Sequence, residues 1–378
     1  MKLFASGIFL VSALALTPQI AQADTAPPAP APMATPEMVG TLTANPAPMS
    51  FGAGFGPVYV TGAVTGLAQY QSNATHSFGG DGSSTVDLDN AWVSIQKTDG
   101  LVQFYIQAGE YSFPTLGVPY EKSSNTTSDT FGVIPVAYGK LQLSDTFSIE
   151  AGKLPTLIGV EYAFSPQNMN IERGLLWFQE PVFSRGVQLN YASGPLSVSL
   201  SWNDGSYSNV WNSFSGLISY AFDSANTLAF DTSITPGRTF TAGSEIYDLM
   251  YTYNAAPWAA GPYVQYQHFD AVKNGGFLFD SSSSDWGVGA LASYAFNKYW
   301  SLAGRAEYED SSGDGSALIY GPKSNAWSFT ITPTWQKSIY YIRGEASYTT
   351  LGSQTVGFGK LLNKNDQVRL MLETGIIF

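Results

Sequence analysis

From Pro57 to its last residue the chain is a succession of segments, each about ten residues long, in which apolar and polar side chains alternate. Leu196–Trp202 reads LSVSLSW, and Trp327–Trp335 reads WSFTITPTW. A period of two sends successive side chains to opposite faces of a strand, and no sustained helical period competes with it. The connections alternate as well. Short ones, rich in turn formers, fall at Thr98-Asp99-Gly100, Ser144-Asp145, Ser193-Gly194, Asn297-Lys298 and Lys337-Ser338. Long ones such as 72–84, 111–132, 269–285 and 349–367 lie between them and are rich in Gly, Ser and Asn. Tight turns on one side and long loops on the other are the pattern of an outer-membrane barrel. About sixteen strands are counted, the first at 57–71 and the last at 368–378. An even count returns both ends to the periplasmic side. The expected fold is all-β: a transmembrane antiparallel up-and-down β-barrel with long external loops and an infolded constriction loop.

The parity of the strands gives a second test, because lipid-facing stripes should carry aromatic girdles at both ends. Beside the short turns the outward positions hold Phe147, Phe222, Trp258, Phe296, Trp300, Trp335, Tyr340 and Phe378. Towards the long loops they hold Trp202, Tyr266, Tyr308, Trp327 and Tyr348. Pro333 falls mid-strand on the same face; lacking an N–H, it predicts a bulge or a missing ladder bond. In the final strand, VRLMLETGIIF, Val368, Leu370, Leu372, Ile376 and Phe378 face outward, with Arg369 and Glu373 opposite.

At the other end, Lys2, the apolar run Leu3–Leu16 and the sequence Ala21-Gln22-Ala23 read as a secretory signal over 1–23, cleaved before Asp24. Residues 24–56 follow as a Pro/Ala-rich flexible periplasmic segment with no periodic apolar face, and 57–378 as the barrel. The chain has no Cys, so an exported product must be stable without disulfides, which a closed hydrogen-bond ladder allows. Its net charge of -12 argues against a nucleic-acid partner.

Inward positions are largely Ser, Thr, Gln, Asn and Gly with scattered charges, the lining of a wet lumen rather than a packed core. The longest connection, Leu154 to Pro181, is unusually apolar for a solvent loop. Leu157, Ile158, Leu175, Leu176, Trp177 and Phe178 would be costly in water, and folding the loop into the lumen buries them. Its Glu161, Asn168, Asn170, Glu172, Arg173 and Glu180 then face the passage. On the wall opposite, Arg305, Arg343 and Arg369 share the inward parity, with Lys140 nearer the loop. Two readings stand side by side. In one, an acidic loop and a basic wall set up a transverse field that sorts solutes; in the other, Arg305 with Glu307 and Arg343 with Glu345 form local ion pairs.

The stretch Ala151 to Tyr191, AGKLPTLIGVEYAFSPQNMNIERGLLWFQEPVFSRGVQLNY, resembles the region shared by the OmpL-like putative β-barrel porin family. It carries the Gly-Lys strand end, a Gly-x-Glu, an Asn-rich segment and a Pro ahead of a Gly-Val strand. The resemblance extends loosely over 57–378 and implies a Gram-negative outer-membrane porin. Phe378 is similar to the terminal aromatic by which the barrel assembly machinery recognises outer-membrane barrels for insertion. General trimeric porins also place a constriction loop after the fifth strand. The chain has no dense Arg cluster in one motif, so the resemblance does not imply anion selectivity.

Chemistry is sparse. His76 and His268 are far apart and near predicted external loops, so neither a metal pair nor a catalytic dyad is legible, and no cofactor is expected. No Ser sits in a G-x-S-x-G setting, and an enzyme is not the expectation. Asp310-Ser-Ser-Gly-Asp314-Gly and Gly79-Gly-Asp81-Gly are fragments of calcium loops without the full ligand set. Two function classes remain. One is a porin passing small hydrophilic solutes passively across outer-membrane lipid; the other is a surface-binding or structural barrel acting as adhesin or phage receptor. A homotrimer is left open, since strands with weak girdles such as 85–96 are suited to face a partner.

Overall fold

The computed structural model describes residues 40–54, 56–76, 81–237, 244–271, 281–314 and 320–378; the signal segment and the Pro-rich residues up to 39 lie outside them. A short strand β1 (Met49–Ala53) precedes β2 (Gly56–Gln71), β3 (Ser84–Lys97), β4 (Val102–Tyr111), β5 (Val136–Gln142) and β6 (Phe147–Pro155). After a long connection come β7 (Phe183–Ser193), β8 (Leu196–Asn203), β9 (Ser213–Ala221), β10 (Asn226–Thr235), β11 (Ser244–Ala255) and β12 (Trp258–Phe269). The chain ends with β13 (Ser283–Ala295), β14 (Trp300–Gly313), β15 (Asn325–Lys337), β16 (Tyr340–Ser353) and β17 (Asp366–Ile377). No described helix is long and apolar enough to cross a membrane; α1 (Ser123–Asp129) lies in a loop.

Each strand from β2 to β17 pairs antiparallel with the next, and β17 closes on β2 from Arg369↔Gln71 to Ile377↔Ala63, giving a barrel of 16 strands. Closure leaves no edge in hydrocarbon, where an unpaired backbone group costs several kcal/mol. In β15 the outward set is Trp327, Phe329, Ile331, Pro333 and Trp335, and the inward set is Ser328, Thr330, Thr332, Thr334 and Gln336. The ladder from β15 to β16 runs to Ile331↔Ala346 and resumes at Thr334↔Arg343, so pairing is lost where Pro333 has no N–H to give.

The last residue of the chain pairs with the first barrel strand. Gly62 N–H donates to the Phe378 carbonyl at 2.9 Å, and Phe378 N–H donates to the Gly62 carbonyl at 3.0 Å. Where β17 stops, β1 takes over the same edge of β2, from Met49↔Val60 to Ala53↔Gly56. The segment expected to be a flexible tail up to residue 56 is therefore a strand over 49–53, and Gly40–Leu42 upstream are buried. A Cβ at Gly62 would lie 2.6 Å from the Phe378 ring. Gly62→Val should push that ring off the seam, destabilise closure by about 1–3 kcal/mol and lower the temperature at which the folded band is lost on unboiled SDS gels.

Candidate functional site

The connection from β6 to β7 is flanked by Pro155, the last residue of β6, and Pro181, and its regular helical structure is limited to two single-turn 3-10 segments, Ser165–Gln167, which includes Pro166, and Leu176–Gln179. Thr156 N–H donates to the Val182 carbonyl at 3.0 Å and closes its neck. Every residue from Glu161 to Trp177 is buried, so the loop lies inside the barrel. Leu157, Ile158, Tyr162, Met169 and Leu176 pack on inward Leu217, Met250, Tyr263 and Leu291 of β9 and β11–β13. Phe164 and Trp177 pack on the other side against Trp92, Tyr105, Tyr111, Tyr138 and Phe183. Leu175 meets Leu116, Tyr320, Leu351 and Phe358, which come from the long-loop end. At about 1.5–3 kcal/mol for each large side chain removed from water, this burial is what draws the loop inward. Phe178 is the exception to expectation: it is 44% exposed, although Trp177 before it and Glu180 after it are buried.

Polar contacts then fix the register. On β14, Arg305 donates from Nη1 to Glu161 Oε1 at 2.6 Å and to the Glu172 carbonyl at 2.7 Å. On β16, Arg343 donates from Nη1 to the Asn168 carbonyl at 3.0 Å, from Nη2 to the Ser165 carbonyl at 2.9 Å, and from Nε to Glu373 at 2.7 Å. On β17, Arg369 Nη1 reaches Glu172 Oε1 and the Thr115 carbonyl, each at 2.7 Å. Wall carboxylates do the converse. Glu345 accepts the N–H of Ile171 at 2.6 Å and of Glu172 at 2.9 Å, while Glu307 accepts that of Leu175 at 3.0 Å. Gly174 permits this approach, since a Cβ there would collide with the Glu307 carboxylate. Ser165 Oγ donates to Glu373 at 2.6 Å and also meets Asp89, which is joined to Ser112.

The connection from β4 to β5, expected as an external loop over 111–132, also bends inward: Arg173 N–H donates to the Pro114 carbonyl at 2.9 Å, and Leu116 N–H to the Arg173 carbonyl at 3.0 Å. The inner loop thus gains a strand-like partner on its outer side.

A sequence model of the family described as "Putative beta-barrel porin-2, OmpL-like" matches residues 57–378. The chain belongs to that family. No curated protein matches the sequence. Among solved structures, the outer membrane channel DcaP of Acinetobacter baumannii is similar with a TM-score of 0.62 at 10% identity, covering 87% of this chain and 99% of that one. An anion-selective porin from Comamonas acidovorans gives a TM-score of 0.58 at 11% identity over 85% of this chain and 99% of that one. Salmonella typhi OmpF in complex with daunomycin gives 0.56 at 12% identity over 87% and 100%. At such identities the likeness is one of fold: a porin-type outer-membrane barrel.

Within this porin-family barrel the sequence-predicted residues divide into groups. Glu161, Glu172, Arg305, Arg343 and Arg369 come together, but as direct contacts; the loop carboxylates touch wall guanidiniums instead of standing across a passage from them. Asn168 and Asn170 also turn to the loop itself and the wall, Asn170 Nδ2 donating to Thr332 Oγ1 at 2.7 Å. Of the two local pairs expected, Arg305 with Glu307 forms, Nε to Oε2 at 3.3 Å, whereas Arg343 pairs with Glu373 and Glu345 serves the loop backbone. Arg173 is buried with its guanidinium 5.5 Å from the Trp177 ring centroid and 6.0 Å from that of Phe113. Lys140 is separate: it lies 3.6 Å from Glu150 on the neighbouring strand.

Glu180 stands on the far side of the loop, accepting from Gln265 Nε2 at 3.1 Å near Asp231, which accepts the Gly159 N–H at 3.1 Å. Burial, then the Asp248 and Asp231 carboxylates, hold its carboxyl well above the ordinary range. Burial likewise raises Glu161, and the Arg305 guanidinium opposes that rise. Sequence reasoning missed Asp89, Ser112 and Ser165 because loop hydroxyls and an Asp at an inward strand position carry no pattern of their own. Among the described residues no group of His, Cys, Asp or Glu is arranged to hold a metal.

Glu345→Ala strips two buried loop N–H groups of their acceptor, at about 1–3 kcal/mol each. Trypsin should then cut after Arg173, which is fully buried in the parent protein, while leaving the barrel strands intact. Equal resistance of variant and parent would show that Glu345 does not hold the loop.

Proposed function

We propose that the protein is an outer-membrane channel for passive diffusion of small hydrophilic solutes, narrowed by the loop over 154–181. The observation that carries this reading is a 16-strand barrel whose inward face is largely polar, apolar mainly where it packs on the one loop held inside it. A sheet of this size closed on itself leaves an aqueous interior unless something fills it. The loop is held by apolar packing on some strands and by charged and polar contacts on others, and the strands it does not touch keep a polar lining suited to water. The family supports a transport role, not catalysis. Export through a cleaved leader, insertion by the barrel assembly machinery through Phe378, and assembly as a homotrimer belong to the same proposal.

The depth of burial over 161–177 favours one alternative, a tight surface-binding or structural barrel that admits no solute. Liposome swelling separates the two: a channel admits a small sugar, and a tight barrel does not. The electrostatic reading also changes with the geometry. Paired charges order the constriction more than they project a field across it, so Gln at Arg305, Arg343 and Arg369 together should loosen the loop and raise conductance. Deleting residues 158–177 should bring single-channel conductance several-fold higher, towards that of an unobstructed barrel of about 16 strands. No conductance from that deletion variant, once shown to be folded, would contradict the channel reading.

A further inference from the structure

We propose that residues 40–44 form a second constriction, at the short-turn mouth of the barrel and in series with the inner loop; the proposal rests on the channel reading above. Gly40 lies deep in the lumen: a Cβ built on it would be 2.6 Å from Met169 N, in the middle of the inner loop, and its φ of +116° is one that glycine tolerates. From there the chain descends along the inner face of β15. Thr41 Oγ1 is 3.2 Å from Thr334 Oγ1. Gln336 then grips Thr43 from both sides, its Oε1 accepting the Thr43 N–H and its Nε2 donating to the Thr43 carbonyl, each at 2.8 Å. Between them Leu42, 1% exposed, packs with Tyr341 and Ile377 where β16 begins and β17 ends.

The segment therefore occupies the route a solute must take between the inner loop and the mouth. It is built as a wall of its own. Gln336 gives it the two-way hydrogen bonding of a neighbouring strand, Leu42 anchors it by apolar burial, and Pro46 and Pro48 restrict the backbone at its exit. Beside it, a cavity of about 640 Å³ remains between Thr41, Thr43 and Ala44 and the adjoining stretch of wall at Ala259, Ser293 and Asn297, on the strands that lead up to β15. Residues 40–44 carry no charge, so their effect on passage is steric, a size limit separate from the charged ring around the inner loop.

The chain has no Cys, which allows a clean test: Thr41→Cys with Thr334→Cys in the full-length protein, and a deletion of residues 26–44 that keeps the leader and its cleavage site. In lipid vesicles the Cys pair should form a disulfide on mild oxidation, and its oxidised form should conduct like the parent. The folded deletion variant should show a conductance about twofold or more above the parent, and swelling assays should admit larger sugars. A Cys pair that does not cross-link in membranes overturns the proposal even where the deletion variant fails to fold. So does a folded deletion variant with the parent's conductance and size limit. A parent that is silent beside a conducting deletion variant supports it, whereas silence from both removes the channel reading and this proposal together.

Discussion

A loop without regular structure survives inside a barrel only when its N–H and C=O groups find what water supplies to a surface loop. Over 161–177 the wall supplies it. Carboxylates of Glu307 and Glu345 take up backbone donors, and the guanidiniums of Arg305 and Arg343 take up backbone acceptors. Apolar packing brings the loop to the wall on several sides, but packing is tolerant of small shifts. The hydrogen bonds are not, and the placing of everything that leans on the loop follows from them: the inward bend of the β4–β5 connection, the cap formed by Leu116, Tyr320 and Phe358, and the position of Gly40 beneath.

Taking ionised groups out of water costs several kcal/mol each, and their mutual attraction roughly balances that cost only when the remaining hydrogen-bonding positions are filled. Arg suits this task because its planar fork serves two or three acceptors at once. Arg343 spans one carboxylate and two carbonyls, and Arg369 spans Gln71, Glu172 and Thr115. The stabilisation gained is therefore modest in net terms, and the gain in specificity is large. One loop register satisfies all of these groups; a shift by a residue would orphan most of them.

Much of the barrel is legible because lipid on one face and water on the other impose a period of two that nothing else in the chain mimics. Pro333 even marks where a ladder fails. The infolding of the β6–β7 connection is legible too, since its apolar residues have no other place to go. Partner choice is not. Parity says which face Arg343 occupies, and the nearest acid along the same strand is Glu345, about 7 Å away by strand geometry. Its partner Glu373 stands directly opposite on β17, a pairing set by register that a single strand does not encode. For Arg305 the same-strand neighbour does come within reach, so no sequence rule separates the two cases. Residues 40–44 were hidden for a different reason: a Pro/Ala-rich stretch has no period, and its anchors lie some 290 positions away in sequence, at Thr334 and Gln336.

The claim on which the account depends is that the inner loop is held as firmly as the strands around it. Hydrogen–deuterium exchange of the folded protein in lipid, read peptide by peptide, measures this directly. The amides of Ile171, Glu172, Gly174 and Leu175 should exchange on the slow timescale of β15 and β16. Exchange of 161–177 as fast as that of the connection 204–212 would mean that the wall does not hold the loop, and the account would fail.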